Sequence, residues 1–416
     1  MSQEPQDTNE LGGTPPGSTP NPAPEMSQNS VVIICRGGSP FPVTQGGVDV
    51  YALRQAQALC EAGCDVILVG QGHLSRADQR PNLHFVPTSR TINYASRFRG
   101  AYFLKAFAAS IYTTLTAVKV IQKTPGLAVV HCHHNSSVLI LKLVGGMPPV
   151  VYTVHDPIFS DWDRQNFGRE AIVRALNNLV MEKLATRVAD SLLAVSQSIK
   201  SALAYWRPSK AACSVIQPLP STSFTENLSS QTSMVDRRDY IITVGSLTGR
   251  KRVDLLLQAL ALCPEEMKLV VVGKGPARKP FMETALDLGL SRRVSWYDHV
   301  GIGELVELYR GARFAVVVSE REGFPTSIME ALEHGTPGLY ISTRTPEVLD
   351  WGDYLRSSYL TEPAECAAVL RTRWEGWDPP SVDREAVKRW ARTKVPQPGV
   401  VASTLLSTYN RLAGHP

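Results

Sequence analysis

The sequence has little of what marks a secreted, zinc-binding or membrane-spanning chain. Its 416 residues include seven cysteines, an odd number without the short paired spacings of a disulfide framework or a zinc site. The most apolar long stretch begins at Ala101 and is interrupted by Lys105 and Lys119, so it does not predict a membrane span. The sequence also lacks the basic start and following apolar core that mark a secretory signal. These absences predict reduced thiols and a cytoplasmic location.

An excess of charge is also lacking. The 43 Lys and Arg residues against 38 Asp and Glu give a formal net charge of +5, which is small for this length. A strongly basic footprint would be expected of a nucleic-acid-binding protein, so we expect no nucleic acid as partner. The slight basic excess suits phosphorylated ligands or an anionic membrane surface, and scattered solvated charge explains it equally well.

Large apolar residues are almost missing from residues 1–30, which are rich in Pro, Ser, Gly, Asn and Gln. Such a composition cannot offset the entropy of ordering the chain, so a disordered tail is predicted there. From residue 31 onward, short β-branched runs alternate with longer helical stretches, which is typical of parallel sheets with crossover helices.

The alternation is interrupted once, by a polar segment containing Pro and Ser. We therefore predict an α/β fold with two doubly wound Rossmann-like domains that face a central cleft. The predicted boundaries are an N-terminal domain over 31–217, a linker over 218–239, a second domain over 240–390, and a C-terminal helix within 391–416 that is able to return to the N-terminal domain.

The most informative segment runs from Val316 to Pro337. A strand leads into a loop with Glu322, and a helix carrying Glu330 follows. The N-terminus of that helix suits a phosphate, and the two carboxylates suit sugar hydroxyls and a ribose diol. A nucleotide sugar contains all three groups. Two acidic residues at this spacing are, however, more often simple exposed acids.

The letters "EREGFPTSIMEALEHGTPGL", from residue 320, resemble the signature of family 4 glycosyltransferases. In that signature two glutamates, with seven residues between them, flank a Gly-Phe turn. The resemblance implies a GT-B fold and retention of anomeric configuration. It also implies donor-binding roles for Glu322, Gly323, Phe324, Pro325, Thr326 and Glu330.

Further segments resemble the same family in the same order, including "GGVDVYALRQAQALCEAGCDVILV", "ITVGSLTGRKRVDLLLQAL" and "VVGKGP". The resemblance therefore covers about residues 31–416. It implies that glycines approach the diphosphate and nucleoside and that a lysine neutralises the diphosphate. The donor-binding residues implied by these segments and the neighbouring "DHV" are Gly46, Gly47, Arg250, Lys251, Gly273, His299 and Val300.

Two further segments, "VVHCHHN" and "VYTVHDP", resemble the family's histidine-bearing strand ends. The implied acceptor-side residues are His133, His155 and Asp156. His131 and His134 rank below them. The predicted catalytic residues are Glu322, His155 and Lys251.

The sequence departs from the family pattern at several positions. Ser246 stands where an arginine is frequent, and Asp298 replaces a glycine near the base. The stretch "WGDYLRSSY" replaces a glycine-rich one. The predicted activity is hexosyl transfer from a nucleoside diphosphate sugar, with uridine favoured over guanosine, to a small-molecule, lipid or glycan acceptor. No metal or other cofactor is expected, since the pair Asp161 and Asp163 is a weak metal motif away from the nucleotide segments.

Several alternatives stay open from the sequence. A nucleotide-sugar epimerase shares this architecture, and a non-catalytic relative would bind the nucleotide sugar only. A dinucleotide oxidoreductase is disfavoured, because neither strand-to-helix turn carries Gly-x-Gly-x-x-Gly. The stretch "SRFRGAYFLKAFAASIYTTL" leaves peripheral contact with the inner membrane face open, although an interior helix explains it better.

Overall fold

The computed structural model describes two parallel β-sheets flanked by helices. The described residues are 30–35, 41, 47–88, 99–155, 180–206, 213–216, 219–220, 240–320, 322, 324–343, 352, 354–377 and 382–413, with side chains described from 108 onward in the second helix.

The first sheet has seven strands in the order β3-β2-β1-β4-β5-β6-β7. Its strands are β1 (Val31–Ile34), β2 (Val66–Gly70), β3 (Leu83–Pro87), β4 (Val129–Cys132), β5 (Val150–Val154), β6 (Ser191–Ala194) and β7 (Ser214–Val215). The crossover helices are α1 (Gly47–Glu61), α2 (Arg99–Lys123), α3 (Asn135–Val144), α4 (described over 180–188) and α5 (Gln197–Trp206). Every strand pair in it is parallel. Strands covered by helices on both faces are apolar throughout, which explains the continuous β-branched runs of β1, β2 and β5.

The second sheet has six strands in the order β10-β9-β8-β11-β12-β13. Its strands are β8 (Tyr240–Val244), β9 (Lys268–Val272), β10 (Val294–Tyr297), β11 (Phe314–Ser319), β12 (Gly338–Ser342) and β13 (Leu355–Tyr359). Its helices are α6 (Val253–Ala261), α7 (Arg278–Asp287), α8 (Ile302–Gly311), α9 (Thr326–Glu333), α10 (Pro363–Gly376) and α11 (Arg384–Lys394). Strand β13 was not predicted from the sequence; it lies in the stretch "WGDYLRSSY" that departs from the family pattern.

The chain crosses back to the first sheet at its C-terminal end. Helix α11 contributes Val387 and Ala391 to the core of the second sheet, so the expected boundary at 390 falls inside this helix. The next helix, α12 (Pro398–Ala413), packs on α1 and β4 and adds Leu405 and Tyr409 to the core of the first sheet. The last helix therefore belongs structurally with the first strands.

Each sheet has one point at which the strand order reverses direction. In the first sheet it lies between β1 and β4, and in the second it lies between β8 and β11. Loops at the carboxyl ends of such strand pairs diverge and leave a crevice, which is where open α/β sheets bind ligands. The loops that follow β1, β4, β8 and β11 are therefore where a site is expected.

Candidate active site

The crevice of the second sheet holds an ion pair between its two diverging loops. Lys251 follows β8, Glu322 follows β11, and Nζ of Lys251 lies 2.6 Å from Oε1 of Glu322. The Glu322 side chain is 8% exposed and that of Lys251 is 21% exposed. Two predicted catalytic residues, 71 positions apart in the chain, thus meet at the carboxyl edge of the sheet.

Backbone hydrogen bonds hold these two loops together. The carbonyl oxygen of Arg250 accepts from the backbone N–H of Glu320 at 2.9 Å and from Oγ of Ser319 at 3.2 Å. The turn Gly249–Lys251 is a single 3-10 turn that closes with Arg252 in the left-handed region. The end of β11 therefore fixes the turn that carries Lys251.

Glu330 lies apart from this ion pair, on α9. Its side chain is buried, and its Oε2 accepts a hydrogen bond of 2.8 Å from the hydroxyl of Tyr309 on α8. Burial first, and then the Glu330 carboxylate, raise the pKa of Tyr309 well above its ordinary value, so this hydroxyl stays protonated and donates. The sequence analysis missed Tyr309, because no local pattern places it beside Glu330.

The carboxylate of Glu330 also acts electrostatically on Arg54, which lies on helix α1 of the first sheet. Burial lowers the pKa of Arg54, while the carboxylates of Asp78 and Glu330 act in the opposite direction. Arg54 also donates to Asp78 at 3.2 Å. Glu330 thus lies within electrostatic range of α1, the helix that follows the first sheet's glycine loop.

The predicted donor-side glycines differ in what surrounds them. A Cβ on Gly273 would lie 1.9 Å from the carbonyl oxygen of Gly245, and one on Gly275 would lie 2.1 Å from that of Leu247. These glycines are therefore needed for packing between the loops after β8 and β9. Gly47, in contrast, begins α1 with open space at the Cβ position.

The other donor-side residues divide into core and surface positions. Phe324 and Val300 pack in the cores around the second sheet, and Pro325 is buried before the first residue of α9, Thr326. His299 is exposed. Phe324 and Val300 therefore anchor their loops to the core of the domain. Outside the described residues lie Gly46, Gly323, Asp156, Asp161 and Asp163.

Two of the departures from the family pattern, Ser246 and Asp298, lie at the second sheet's carboxyl edge. Ser246 is exposed and lines a shallow depression together with Gly245 and Lys251. Asp298 follows β10, and its Oδ1 lies 2.7 Å from Nε of Arg278 on α7. The carboxylate that replaces the family glycine is therefore charge-paired.

In the first sheet, histidines cluster where β4 and β5 end. Nδ1 of His133 lies 3.0 Å from Nε2 of His155, and the Tyr51 ring makes a T-shaped contact with each imidazole. His133 is buried and His155 is partly exposed. The two histidines that the resemblance singled out are thus joined by a direct hydrogen bond.

The neighbouring histidines have structural partners. His131 is fully buried, with Nδ1 2.7 Å from the hydroxyl of Tyr409 and Nε2 2.6 Å from Oγ1 of Thr153. Burial lowers the pKa of His131 to about 3, so it is neutral at physiological pH. His134 is the N-cap of α3, where its ring accepts from the backbone N–H of Ser136.

Within the described ranges, no cluster of three or more His, Cys, Asp or Glu side chains is arranged to hold a metal ion. Among the helices of that same part of the chain, none combines the length and apolar character needed to cross a bilayer.

Two family models match the chain. The model described as Glycosyltransferase Family 4 matches residues 45–218, and the model described as Glycosyl transferases group 1 matches residues 224–349. The first match includes α1 and the histidine cluster, and the second includes Lys251, Glu322 and Glu330.

Curated relatives resemble the chain to different extents. An uncharacterized glycosyltransferase of Methanocaldococcus jannaschii is 25% identical over 231 residues, which is 47% of this chain and 59% of that protein. The D-inositol 3-phosphate glycosyltransferase of Mycolicibacterium vanbaalenii is 24% identical over an alignment of 460 positions, which covers 97% of this chain and 94% of that protein.

Solved structures share the fold over nearly the whole chain. Sucrose-phosphate synthase from Thermosynechococcus elongatus has a TM-score of 0.71 at 18% identity, and the alignment covers 92% of this chain and 99% of that one. Anabaena Alr3699/HepE in complex with UDP-glucose has a TM-score of 0.63 at 17% identity, with 92% and 99% covered. The predicted α/β fold with two doubly wound units is thereby confirmed.

Proposed function

Because the chain belongs to the family 4 glycosyltransferases and has their GT-B fold, we propose that it moves a hexosyl group from a nucleoside diphosphate sugar to an acceptor. The observation that carries the proposal is the ion pair of Lys251 with Glu322 at the crevice between β8 and β11. It puts a cation and a hydrogen-bond-accepting carboxylate side by side. A sugar diphosphate needs both, because its anionic phosphates adjoin its hydroxyl groups.

In the proposed reaction the bond between the sugar and the diphosphate breaks, and negative charge builds up on the departing phosphate oxygens. A hydroxyl oxygen of the acceptor bonds to the anomeric carbon, and its proton leaves with the diphosphate. The ammonium group of Lys251 and the neighbouring Arg250 guanidinium stabilise that charge. Glu322 accepts hydrogen bonds from the sugar hydroxyls and holds the ring in place, which is catalysis by orientation. On donor binding, Lys251 exchanges a carboxylate partner for a phosphate without leaving the crevice.

The donor is proposed to be a uridine diphosphate sugar, with guanosine diphosphate sugars second. Support comes from Anabaena Alr3699/HepE, a neighbour in fold that was crystallised with UDP-glucose. Transfer is proposed to retain the anomeric configuration, since retention is what membership of the family implies. His133, His155 and Asp156 are proposed for the acceptor side.

Metal is not part of the proposed mechanism. Divalent cations serve other glycosyltransferases by neutralising the diphosphate, and here the fixed cations of Arg250 and Lys251 would perform that neutralisation. Transfer that persists at full rate in excess chelator would support this; restoration of a lost rate by added Mg²⁺ or Mn²⁺ would contradict it.

The proposal is tested first by thermal-shift measurements with uridine, guanosine and adenosine diphosphates. A ligand that binds only the folded protein raises the melting temperature progressively as its excess grows, and we expect uridine diphosphate to do so most strongly. The responding donor sugar is then incubated with candidate acceptors, and NMR of the product reports the anomeric configuration. An epimerised nucleotide sugar formed without any acceptor would overturn transfer in favour of epimerisation.

A further inference from the structure

The hydrogen bond between His133 and His155 raises the question of which ring nitrogen carries the proton. Nδ1 of His133 and Nε2 of His155 are 3.0 Å apart. A hydrogen bond between two imidazoles needs an N–H on one side and a lone pair on the other. The proton on this contact therefore decides the tautomer of both rings.

His133 is held as a neutral ring by its surroundings. Its imidazole stacks on that of His131, with the ring centroids 4.5 Å apart. Burial, followed by the nearby His131 and His155, lowers the pKa of His133 well below its ordinary value. His131 uses both of its ring nitrogens on Tyr409 and Thr153, so it stays in place as a fixed support.

The surroundings of Nε2 of His133 indicate whether the proton of this ring lies on Nδ1 or on Nε2. Among the described residues, Nε2 of His133 is buried and has no hydrogen-bond partner. With the proton on Nε2, a buried N–H would lack an acceptor, which native proteins rarely allow. With the proton on Nδ1, His133 donates to Nε2 of His155 and only a lone pair stays unpaired. The geometry favours the second arrangement.

We propose that His133 is a positioning residue that keeps His155 in the tautomer protonated on Nδ1. In this tautomer Nε2 of His155 is occupied by the bond from His133. His155 then carries an N–H at Nδ1, which donates in any hydrogen bond that it makes, and it does not act as a base through Nε2. A role of the Nδ1 N–H of His155 in transfer rests on the proposed function, whereas the tautomer of His155 does not.

The tautomer is measured directly by two-dimensional ¹H–¹⁵N NMR of protein labelled at histidine nitrogens. The variant His155→Gln identifies the signals of His155 by their loss. We expect the wild-type protein to show His155 with a protonated Nδ1 and an unprotonated Nε2 at about pH 8, well above the ordinary histidine pKa of about 6.5. A wild-type spectrum with the proton on Nε2 of His155 would overturn the proposal without any activity measurement.

Two variants separate the hydrogen bond from packing. His133→Asn keeps an N–H donor close to the position of Nδ1, and His133→Phe keeps a ring on His131 but removes the donor. We expect His155 to keep its Nδ1 proton in H133N and to shift toward the Nε2-protonated form in H133F. An unchanged tautomer in H133F would refute the role of His133 even if wild-type transfer activity were confirmed.

Kinetics with the donor identified above provide the functional readout. We expect H133F to lower kcat by about tenfold or more with the donor KM within about twofold, and H133N to restore most of kcat. Equal losses in both variants would mean that His133 acts through packing alone, which overturns the proposal. Should the wild-type protein transfer no sugar, the proposed function fails while the NMR result still decides the tautomer.

Discussion

Nζ of Lys251 and Oε1 of Glu322 lie 2.6 Å apart on the two loops that diverge from β8 and β11. Each charge is the other's partner in a site that is largely shielded from water. Removing one member of such a pair leaves the other charge without its partner, which is more damaging than the net worth of the pair. A substitution at either residue should therefore have a measurable effect.

Replacing Lys251 with methionine removes the cation and keeps most of the side-chain volume. We expect transfer to slow by roughly 100-fold, because charge on the departing diphosphate loses its nearest stabilising group. Steady-state kinetics with saturating donor measure the effect. The matched control is Lys268→Met. Lys268 is exposed at the amino end of β9, whereas Lys251 lies near the carboxyl ends of the strands, so this change should leave the rate unchanged. A rate near that of the wild type in K251M would remove Lys251 from the mechanism.

Removing the hydroxyl of Tyr309 takes one hydrogen-bond donor away from the buried carboxylate of Glu330. The Tyr309→Phe variant loses the 2.8 Å hydrogen bond and leaves Oε2 of Glu330 without that donor. We expect the free energy of unfolding to fall by about 1–3 kcal/mol, and donor KM to rise, because the carboxylate loses one of the contacts that orient it. Urea unfolding and donor titration report the two effects. If neither changes, Tyr309 does not orient Glu330.

A methyl group at Gly273 should damage the fold itself. The added Cβ would lie 1.9 Å from the carbonyl oxygen of Gly245, so Gly273→Ala must separate the loops after β8 and β9. We expect a loss of at least about 2 kcal/mol of stability, measured without any ligand. Gly303→Ala is the control, since open space surrounds that helical glycine and alanine should stabilise α8 by about 0.5–1 kcal/mol. If G273A has normal stability, glycine is needed at this position for contact with the ligand and not for packing.

Stability should fall as the solution becomes acidic. His131 has its pKa lowered by burial from 6.5 to about 3, so below pH 6.5 the unfolded chain takes up a proton that the folded protein does not. The stabilisation is complete above pH 6.5 and declines by up to ~1.4 kcal/mol per pH unit as the pH falls toward 3. The lowered pKa of His133 acts in the same direction.

Urea unfolding at several pH values between about 7.5 and 5 measures this slope. His131→Asn should be less stable at neutral pH, because Tyr409 and Thr153 lose a partner, and its stability should depend less on pH. An unchanged slope in that variant would show that His131 is not responsible.

The sequence was informative wherever local pattern decides the structure. Continuous apolar runs located β1, β2 and β5, and the family-like spacing of Glu322 and Glu330 located the loop after β11. Strand β13 was missed, because its residues, Leu355–Tyr359, include partly exposed Arg and Ser and an exposed Tyr on an outermost strand. An edge strand lacks the apolar run that identifies a central one.

Contacts between distant segments were beyond sequence reasoning. Tyr309 precedes Glu330 by 21 positions, and Tyr409 follows His131 by 278, so no periodicity links either pair. The packing need for Gly273 was also hidden, because a glycine in a loop looks the same whether backbone or ligand approaches it. The roles of Gly46, Gly323 and Asp156 stay predictions, since these residues lie outside the described ranges.

The return of α12 to the first sheet has a consequence for biosynthesis. The core that begins at Val31 is completed by Leu405 and Tyr409, so it cannot close until these two residues have left the ribosome. The core of the second sheet, which ends at Val395, has all of its residues sooner. The core of the second sheet is therefore able to close before that of the first, and nascent chains that stop before α12 should expose the apolar surface that this helix covers.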